Sequence, residues 1–600
     1  MEDNNRNLIL ATVLSFLVIL VWYTVFAPEP VSDQPSGQPL TEQVVGDQPL
    51  ATPGTGAATT APADLAAEPD AAEPAGRVAI QSSALSGSIS LAGGRIDDLL
   101  LTRYQETRDE GSPDVRLLTP SSATADDSIP VDSAQYKPYY AVYGWTPGPG
   151  VDASLVPNPA TVWTLESGET LSPGQPVTLA WDNGAGQIFR RTFALDDNYL
   201  FTVGQSLQNN GDAAFSAAPY GIIARHGRPD TQNNFILHEG VVGMVDGTLV
   251  EMKYDDVAEL DPIDREGRAE VYNVTGNGWI GFTDKYWMSS LAPAPGQAFT
   301  AVVKYADGAD IYQTEARFPM QTVEPGTQLS ADSYLFAGAK VWEVIRGYEE
   351  TPGIQRFVDS IDWGWFYFLT KPIFYALDWL YRMSGNFGVA ILIFTVFVKG
   401  LFFPLANKSY KSMSKMKLLS PRMTEIREQY KDDPAKMQQE MMQMYKAEKV
   451  NPVSGCLPIL IQIPVFFALY KVIFITIEMR HAPFFGWIRD LSAPDPTNVF
   501  NLFGLLPFDP AAITPLLHMG IWPLIMGATM YFQQKLNPPP PDPVQARVFQ
   551  FMPIIFTFML AGFPAGLVIY WSWNNLLTIA QQWLIMRQTR LENPRVARSA

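Results

Sequence analysis

The sequence contains one cysteine, Cys456, among 600 residues. A single thiol can form neither an internal disulfide nor a zinc site built from several cysteines, so Cys456 is expected to be a small core residue. Basic residues are also few, 42 against 61 acidic residues, and the formal net charge is −19. Because the first half of the chain is acidic and rich in proline and glycine, direct nucleic-acid recognition through bulk charge is not expected.

Signatures of nucleotide-dependent, hydrolytic and metal chemistry are missing as well. The sequence has no Walker loop, no catalytic triad and no zinc-binding spacing. We therefore predict that the chain is not an enzyme and needs no cofactor. What it has instead is a series of long apolar stretches.

The first apolar stretch predicts a membrane anchor in residues 1–26. Leu8 to Phe26 carries no charge and has the length of about 20 residues that a bilayer-spanning helix needs. A cleaved signal peptide is the alternative, but its apolar region usually has only about 7 to 15 residues, and no A-x-A-like cleavage site is present. Residues 27–76 are rich in Pro, Ala, Thr, Asp and Glu, which predicts a flexible linker.

Short alternating runs fill residues 77–340. Apolar and polar residues alternate with period two, and Asn-Gly, Asp-Gly and Gly-Asn pairs punctuate the runs, which predicts a large antiparallel β-sandwich. Residues 355–383 place Lys371, Asp378 and Arg382 on one helical face and aromatic side chains elsewhere. This favours an amphipathic helix in the membrane interface, and a buried helix of the β domain is the alternative.

Five further apolar stretches predict transmembrane helices, six with the anchor. The last two form one run that would be about 60 Å long as a single helix, so it must fold back at Phe563–Gly566. Residues 407–451 and 587–600 are rich in Lys and Arg and are placed in the cytoplasm, with the N-terminus also inside and the β domain outside. The five stretches are residues 386–406, 452–477, 516–534, 548–563 and 564–586.

The cytoplasmic segment 407–451 predicts a helical hairpin. Ser420-Pro421 and Asp433-Pro434 each match an N-cap followed by proline at the first helical position. Methionines in this segment suit either an adaptable surface for partner proteins or the interior of the hairpin, and both interpretations stay open. The candidate partner surface comprises Met413, Met416, Met437, Met441 and Met444.

Lys399 lies inside an apolar stretch. In one straight helix it would be about 13 Å from Lys408, beyond the comfortable reach of a snorkelling lysine. No carboxylate occurs within the six predicted crossings, and Lys471, near the outer end of its helix, is expected to reach outward. A charge in the bilayer interior costs roughly 2.5 to 3.5 kcal/mol and usually faces a partner or water. We therefore predict a water-filled hollow that holds an unpaired cation.

A structural role, with Lys399 bonded to backbone carbonyls in the helix bundle, is the alternative. The neutral polar residues available near the hollow are Thr395, Gln462, Asn574, Asn575, Gln581 and Gln582.

Three stretches resemble one known family. They are FVKGLFFPL, YKAEKVNPVSGCLPILIQIPVFFALY and FMPIIFTFMLAGFPAGLVIYWSWNNLLTIAQQWLI, all within residues 363–587. They resemble the YidC membrane protein insertases, which are relatives of the mitochondrial Oxa-type and chloroplast Alb-type proteins. An N-terminal anchor before a large β domain is similar to the Gram-negative form, whose periplasmic domain is a β-supersandwich.

The resemblance implies a five-helix insertase core in the bacterial inner membrane, with a hydrophilic groove open to the cytoplasm and to lipid. The family's groove carries a basic residue, usually Arg, and Lys399 stands at the matching position, so a point charge is kept and bidentate bonding is lost. Thr395 matches a groove residue, and Tyr570 and Trp571 match an aromatic pair that contacts substrates. The candidate groove residues are thus Lys399, Thr395, Gln462, Tyr570, Trp571 and Asn574.

The resemblance also implies partners. These are nascent membrane proteins, the Sec translocon, membrane lipid, and a ribosome or signal-recognition receptor that meets the cytoplasmic hairpin. The function it implies is the insertion and folding of inner-membrane proteins.

Two other classes of function stay open on the residues alone. A secondary transporter of an anionic solute would use Lys399, although such proteins usually show paired, interrupted repeats, which this sequence does not have. An anchored envelope enzyme would act through the sandwich, and it should survive loss of the membrane core.

Overall fold

A computed structural model describes residues 76–121, 136–231, 237–448, 457–508, 510–514, 517–537 and 543–592. The described residues all belong to one compact unit, residues 58–600. The predicted anchor, nearly all of the predicted linker and the last part of the basic tail lie outside the described residues.

Two β-sheets form the first large part of the chain. The strands are β1 Arg77–Gln81, β2 Leu85–Ser90, β3 Arg95–Gln105, β4 Asp114–Leu118, β5 Tyr139–Pro147, β6 Thr164–Ser167, β7 Thr170–Leu171, β8 Val177–Asp182, β9 Gln187–Leu195, β10 Leu200–Asn209, β11 Phe215–His226, β12 Gly240–Val245, β13 Thr248–Lys253, β14 Pro262–Ile263, β15 Gly267–Val274, β16 Gly278–Thr283, β17 Trp287–Pro293, β18 Phe299–Ala306, β19 Ile311–Arg317, β20 Gln321–Val323 and β21 Gln328–Ala339. One sheet has 12 strands in the order β14-β15-β18-β19-β11-β5-β3-β2-β1-β7, with β20 paired to β11 and β4 to β3. The other has 9 in the order β13-β12-β16-β17-β21-β10-β9-β8-β6.

The two sheets pack face to face, as the period-two pattern predicts. Along β9 every second residue is buried, so one side of the strand faces the opposite sheet. The ring of Phe193 on β9 packs edge-on against Tyr143 on β5, and Phe189 packs in the same way against Trp145. The predicted β-sandwich is confirmed. The pairing is antiparallel except between β1 and β7, which run parallel.

Helices dominate the described residues after Ala339, and one short helix lies within the sandwich between β13 and β14. They are α1 Tyr254–Ala258, α2 Trp342–Glu350, α3 Tyr367–Ser384, α4 Phe387–Leu401, α5 Phe403–Leu418, α6 Ser420–Gln429, α7 Pro434–Ala447, α8 Leu457–Ile475, α9 Pro510–Ile513, α10 Ile521–Leu536, α11 Pro543–Leu560 and α12 Ala565–Glu592. Short 3-10 helices lie at Ala153–Leu155, Phe357–Ser360, Ile477–Met479 and Val499–Asn501.

The stretch 386–406 was predicted to be one straight helix, but it consists of two helices with a bend between them. Helix α4 ends at Leu401, and α5 begins at Phe403 with its axis turned by 69°. The physical cause is Pro404 in the first turn of α5, because its ring and missing N–H interrupt the hydrogen bonds of a continuing helix. The predicted separation of Lys399 from Lys408 assumed one straight helix, and that assumption is wrong.

The predicted interfacial helix at 355–383 is shorter than expected. A single 3-10 turn at Phe357–Ser360 comes first, and α3 begins only at Tyr367. Gly364 lies between them with φ +69°. This left-handed conformation favours glycine and interrupts the helix between the 3-10 turn and α3.

Among the described helices, none is by itself both long and apolar enough to qualify as a membrane span. The bent pair α4 and α5 passes that test together. The predicted count of six crossings is not confirmed.

The predicted hairpin is formed by α6 and α7. The Asp433 carboxylate accepts a hydrogen bond from the Lys436 N–H at 3.0 Å, which confirms the predicted N-cap of α7. The predicted N-cap at Ser420 is wrong by one residue, because α5 continues to Leu418 and only Leu419 separates it from α6.

Candidate functional site

Lys399 lies in the last turn of α4 and contacts the middle of α12. Its Nζ donates a hydrogen bond to Thr578 Oγ1 at 2.9 Å, and the Thr578 hydroxyl donates to the Asn574 carbonyl oxygen at 2.7 Å. No carboxylate of the described residues forms an ion pair with this ammonium. The cation is thus held by a neutral hydroxyl between two helices.

The contacted face of α12 is polar over several turns. Tyr570, Asn574, Thr578 and Gln581 follow one another at helical spacing, so they lie on one side of the helix. Tyr570, Asn574 and Thr578 are buried, although α12 is otherwise largely apolar. A polar stripe of this kind is expected where a helix borders water or a polar partner rather than lipid.

Several amide atoms near this stripe are buried without a hydrogen-bond partner among the described residues. Buried polar atoms almost always have such a partner, in the protein or in water. A site rich in such atoms is therefore suited to hold water or the polar groups of another molecule. The atoms are Asn407 Oδ1, Asn574 Oδ1, Gln581 Nε2 and Gln582 Oε1.

Thr395 and Gln462 occupy different places. Thr395 is buried on α4, and its hydroxyl donates to the Ile391 carbonyl oxygen at 2.6 Å, a bond within its own helix. Gln462 on α8 donates through Nε2 to the Tyr570 hydroxyl, which ties α8 to α12. Of the candidate groove residues, Gln462 and Tyr570 are therefore in direct contact.

Trp571 lies between two other aromatic residues. Its ring centroid is 4.6 Å from that of Phe466 on α8 and 6.0 Å from that of Phe556 on α11. Trp571 thus fills the space where α8, α11 and α12 meet.

The outer surfaces of α8 and α11 are apolar and exposed. Ile463 and Phe467 are exposed on α8. On α11, Ile554 and Ile555 are exposed at 55% and 58% of their surface, with Phe551, Phe558 and Met559 beside them. Such a surface suits lipid chains or the apolar segment of a membrane protein.

The methionines of the predicted partner surface divide between the interior and the surface. Met444 is buried in the hairpin, as is Met423, which accepts a hydrogen bond at Sδ from the Tyr445 hydroxyl at 3.9 Å. Met413 and Met416 on α5 and Met437 and Met441 on α7 are half-buried. Met444 therefore belongs to the hairpin interior, and a partner surface formed by the other four methionines stays a prediction.

Sequence reasoning missed two partners of the buried lysines. Thr578 was not among the polar candidates, although its spacing of four residues from Asn574 marks the same helical face. Lys471, which was expected to reach outward, forms a buried ion pair: its Nζ is 2.5 Å from Oδ2 of Asp362, and the two side chains are only 9% and 14% exposed. Asp362 lies in the segment before α3, where no local pattern signals its partner.

A second buried carboxyl joins the sandwich to the helices. Oε1 of Glu478 accepts a hydrogen bond from the Trp342 N–H at 3.1 Å, just after the end of α8. Burial raises the pKa of Glu478 to about 7, and the bonds from backbone N–H groups oppose this rise. This carboxyl therefore titrates near neutral pH.

Comparison with known proteins identifies a protein family that this chain matches along most of its length. Residues 77–376 match the model of the YidC periplasmic domain, and residues 379–593 match that of the 60Kd inner membrane protein. A protein named membrane protein insertase YidC from Paracoccus denitrificans is 62% identical to this chain, over 98% of this chain and 95% of its own length. A protein of the same name from Dinoroseobacter shibae is 55% identical, over 98% of this chain and 96% of its own length. A crystal structure described as an active YidC insertase with its first transmembrane domain resolved is 17% identical, covers 95% of this chain and 98% of its own, and has a TM-score of 0.34.

Proposed function

Since this chain belongs to the YidC family of membrane protein insertases, we propose that the polar face of α12 and Lys399 form a groove that receives the polar part of an incoming membrane protein. The family consists of inner-membrane proteins with a periplasmic domain, and its members are not enzymes. The contact between Lys399 and Thr578 is the observation that carries the proposal.

The electrostatic part of the mechanism rests on Lys399. A carboxylate about 4 Å from the ammonium gains roughly 4 kcal/mol at an effective dielectric constant near 20, before its own desolvation is subtracted. An acidic group in the translocated tail is therefore attracted into the groove and released on the far side, where water solvates it.

The hydrophobic part rests on the exposed surfaces of α8 and α11. A polar groove shortens the apolar path that the tail must cross, so less of the tail is desolvated at one time. The substrate's own apolar segment moves along Phe467, Ile554 and Ile555 into lipid, and its burial contributes about 25 cal/mol per Å². No nucleotide or catalytic residue is needed for this process.

The orientation of the chain and its partners are part of the same proposal. We place both termini and the hairpin of α6 and α7 in the cytoplasm, because the segments 407–451 and 587–600 are rich in basic residues, which are enriched in cytoplasmic loops. There the lysines would face anionic lipid and partner proteins. Met437, Met441 and the exposed Met442 offer an adaptable apolar surface for a ribosome or a targeting receptor. Cooperation with the Sec translocon and a role in folding follow from the family resemblance. The two relatives above are named as insertases, which gives no support to an anionic-solute transporter.

Site-specific crosslinking tests the proposed path. A photoreactive side chain placed at Ile555 or Phe467 should crosslink to a single-span nascent chain as its apolar segment leaves the ribosome. The same probe at Phe532, an exposed apolar position on α10, is the matched control and should give little product. Equal crosslinking at all three positions, or none at Ile555 and Phe467, would contradict the proposed path.

A further inference from the structure

A cleft of about 650 Å³ lies between α2, the 3-10 turn at Phe357–Ser360 and α3. Its charged lining comes from α2, from the 3-10 turn at Phe357–Ser360 and its flanks, and from α3. Three cations, two carboxylates and two aromatic side chains line it: Arg346, Arg356, Lys371, Glu349, Asp359, Trp342 and Tyr375. The insertion mechanism uses none of these residues.

The carboxylates of the cleft do not neutralise all of its cations. Asp359 accepts from both Arg356 Nε at 2.7 Å and Lys371 Nζ at 2.8 Å, so one carboxylate serves two cations. Oε1 of Glu349 accepts the backbone N–H of Val358 at 2.9 Å. The lining therefore carries one more cation than carboxylate, and Glu350, the carboxylate paired with Arg346, lies outside it.

Arg346 is the cation best able to accept a new anion. Its ion pair with Glu350 is 4.0 Å long, the longest of those between described residues, and its side chain is 59% exposed. Its guanidinium lies 5.8 Å from the ring centre of Trp342, so the aromatic ring orients it beside the cleft. Arg356 also keeps donors in reserve, because a guanidinium has five N–H groups and two of its nitrogens make the bonds to Asp359 and Gly247.

The exposed side of α3 has the composition expected of a helix in the headgroup layer of a bilayer. Phe368, Trp379 and Met383 form an exposed apolar stripe along the helix, and Lys371 and Tyr375 lie next to it on the side of the cleft. Trp365, just before α3, is 86% exposed, the highest value among the large apolar side chains of the described residues. Tryptophan and tyrosine rings prefer the headgroup level of a bilayer, and cations beside them lie at the depth of the phosphates.

We propose that this cleft binds the phosphate of an anionic phospholipid from the leaflet that α3 contacts, with Arg346 and Lys371 as its principal ligands. The phosphate oxygens accept hydrogen bonds from the Arg346 guanidinium and the Lys371 ammonium, and the acyl chains lie along Phe368 and Trp379. The lipid headgroup then fills the space between α2 and α3. A soluble phosphate offers the same oxygens but no chains for the apolar stripe, so the two ligands are separable by experiment.

Native mass spectrometry of the full chain in detergent tests the proposal. Dioleoylphosphatidylglycerol is titrated onto the delipidated protein, and the dissociation constant of the first lipid adduct is measured. Each cation near an anionic headgroup contributes about fivefold in affinity, so Arg346→Gln with Lys371→Gln should weaken binding by roughly 25-fold. Arg228→Gln with Arg268→Gln removes the same charge from exposed positions of the sandwich outside the cleft and should change the constant by less than about twofold.

Two further arms identify the ligand and guard against misfolding. Dioleoylphosphatidylcholine should bind more weakly than the glycerol lipid, and millimolar inorganic phosphate should not displace the latter. The single variant Arg346→Gln, at an exposed and weakly paired position, should still lose about fivefold with an unchanged thermal midpoint. Equal losses in the cleft and control variants, or displacement of the lipid by inorganic phosphate, would overturn the proposal.

Discussion

The Lys399 ammonium lies 2.9 Å from the hydroxyl of Thr578, a residue 179 positions later in the chain. This contact joins the last turn of α4 to the middle of α12. The same contact can report whether water reaches Lys399. The loss of unfolding free energy on removing the Thr578 hydroxyl depends on whether a water molecule can replace it as hydrogen-bond acceptor.

Thr578→Val keeps the shape of the side chain and removes the hydroxyl. If water reaches Lys399, as the groove requires, it replaces the lost bond and the free energy of unfolding falls by less than about 1 kcal/mol. If the site is dry, a charged donor is left without a partner and the loss is roughly 3 kcal/mol. Thermal unfolding in nanodiscs measures the difference, with Thr578→Ser as the control that retains the hydroxyl.

The buried pair of Lys471 and Asp362 should couple α8 strongly to the segment before α3. Replacing either partner alone, by Lys471→Met or Asp362→Asn, should cost about 3 to 5 kcal/mol because the other charge stays buried. The double variant should recover part of this loss, so a double-mutant cycle should give a clear coupling energy. The exposed pair of Arg346 and Glu350 is the control, with an expected coupling below about 0.5 kcal/mol. Equal coupling energies for the two pairs would contradict the account.

The raised pKa of Glu478 should make the stability of the protein depend on pH. Its pKa is raised to about 7 in the folded protein, against about 4.3 in the unfolded chain. The folded state therefore binds the proton more tightly, and this contribution to stability is complete below about pH 4.3 and is lost as pH rises through 7. Glu478→Gln should accordingly raise the thermal midpoint at pH 8 and change it little at pH 5. A variant that is less stable than the parent at pH 8 would show that the carboxylate is stabilising there.

The orientation can be tested with single cysteines in a Cys456→Ser background. Ser330 is exposed on β21 and Gln438 is exposed on α7. A membrane-impermeant thiol reagent added to intact spheroplasts should label Ser330→Cys, and it should label Gln438→Cys only after lysis. Labelling of the second position in intact spheroplasts would place the hairpin outside.

Local patterns predicted much of the fold because they depend on neighbours in sequence. Period-two alternation was enough for the sandwich, and the Asp-Pro pair at Asp433 marked the start of α7. The bend after Leu401 could also have been predicted, because Pro404 is a known cause of helix breaks. It was missed because the prediction used hydropathy alone, which indicates one continuous helix.

The parts that were missed depend on long-range pairing. Asp362 and Lys471 are 109 positions apart, and neither lies in a pattern that names the other. Thr578 was overlooked because threonine is common in apolar helices, and only its spacing from Asn574 points to the polar face. In both cases the sequence identified the lysine, and the fold supplied its partner.

We propose that the charge of Lys399 acts on acidic groups of the translocated tail. A net gain of one or two kcal/mol changes a rate by about tenfold. Lys399→Arg keeps the charge and should preserve insertion, Lys399→Ala should slow substrates with acidic tails, and Lys399→Glu should slow them further by repulsion. Substrates with neutral tails should be affected much less.

The most direct measurement compares insertion of one single-span substrate, with an acidic tail and with the same tail neutralised, by Lys399→Ala and by the parent at matched protein levels. The account predicts a rate lower by about tenfold for the acidic tail and a change of less than about twofold for the neutral one. Equal defects for the two tails would contradict the electrostatic role of Lys399.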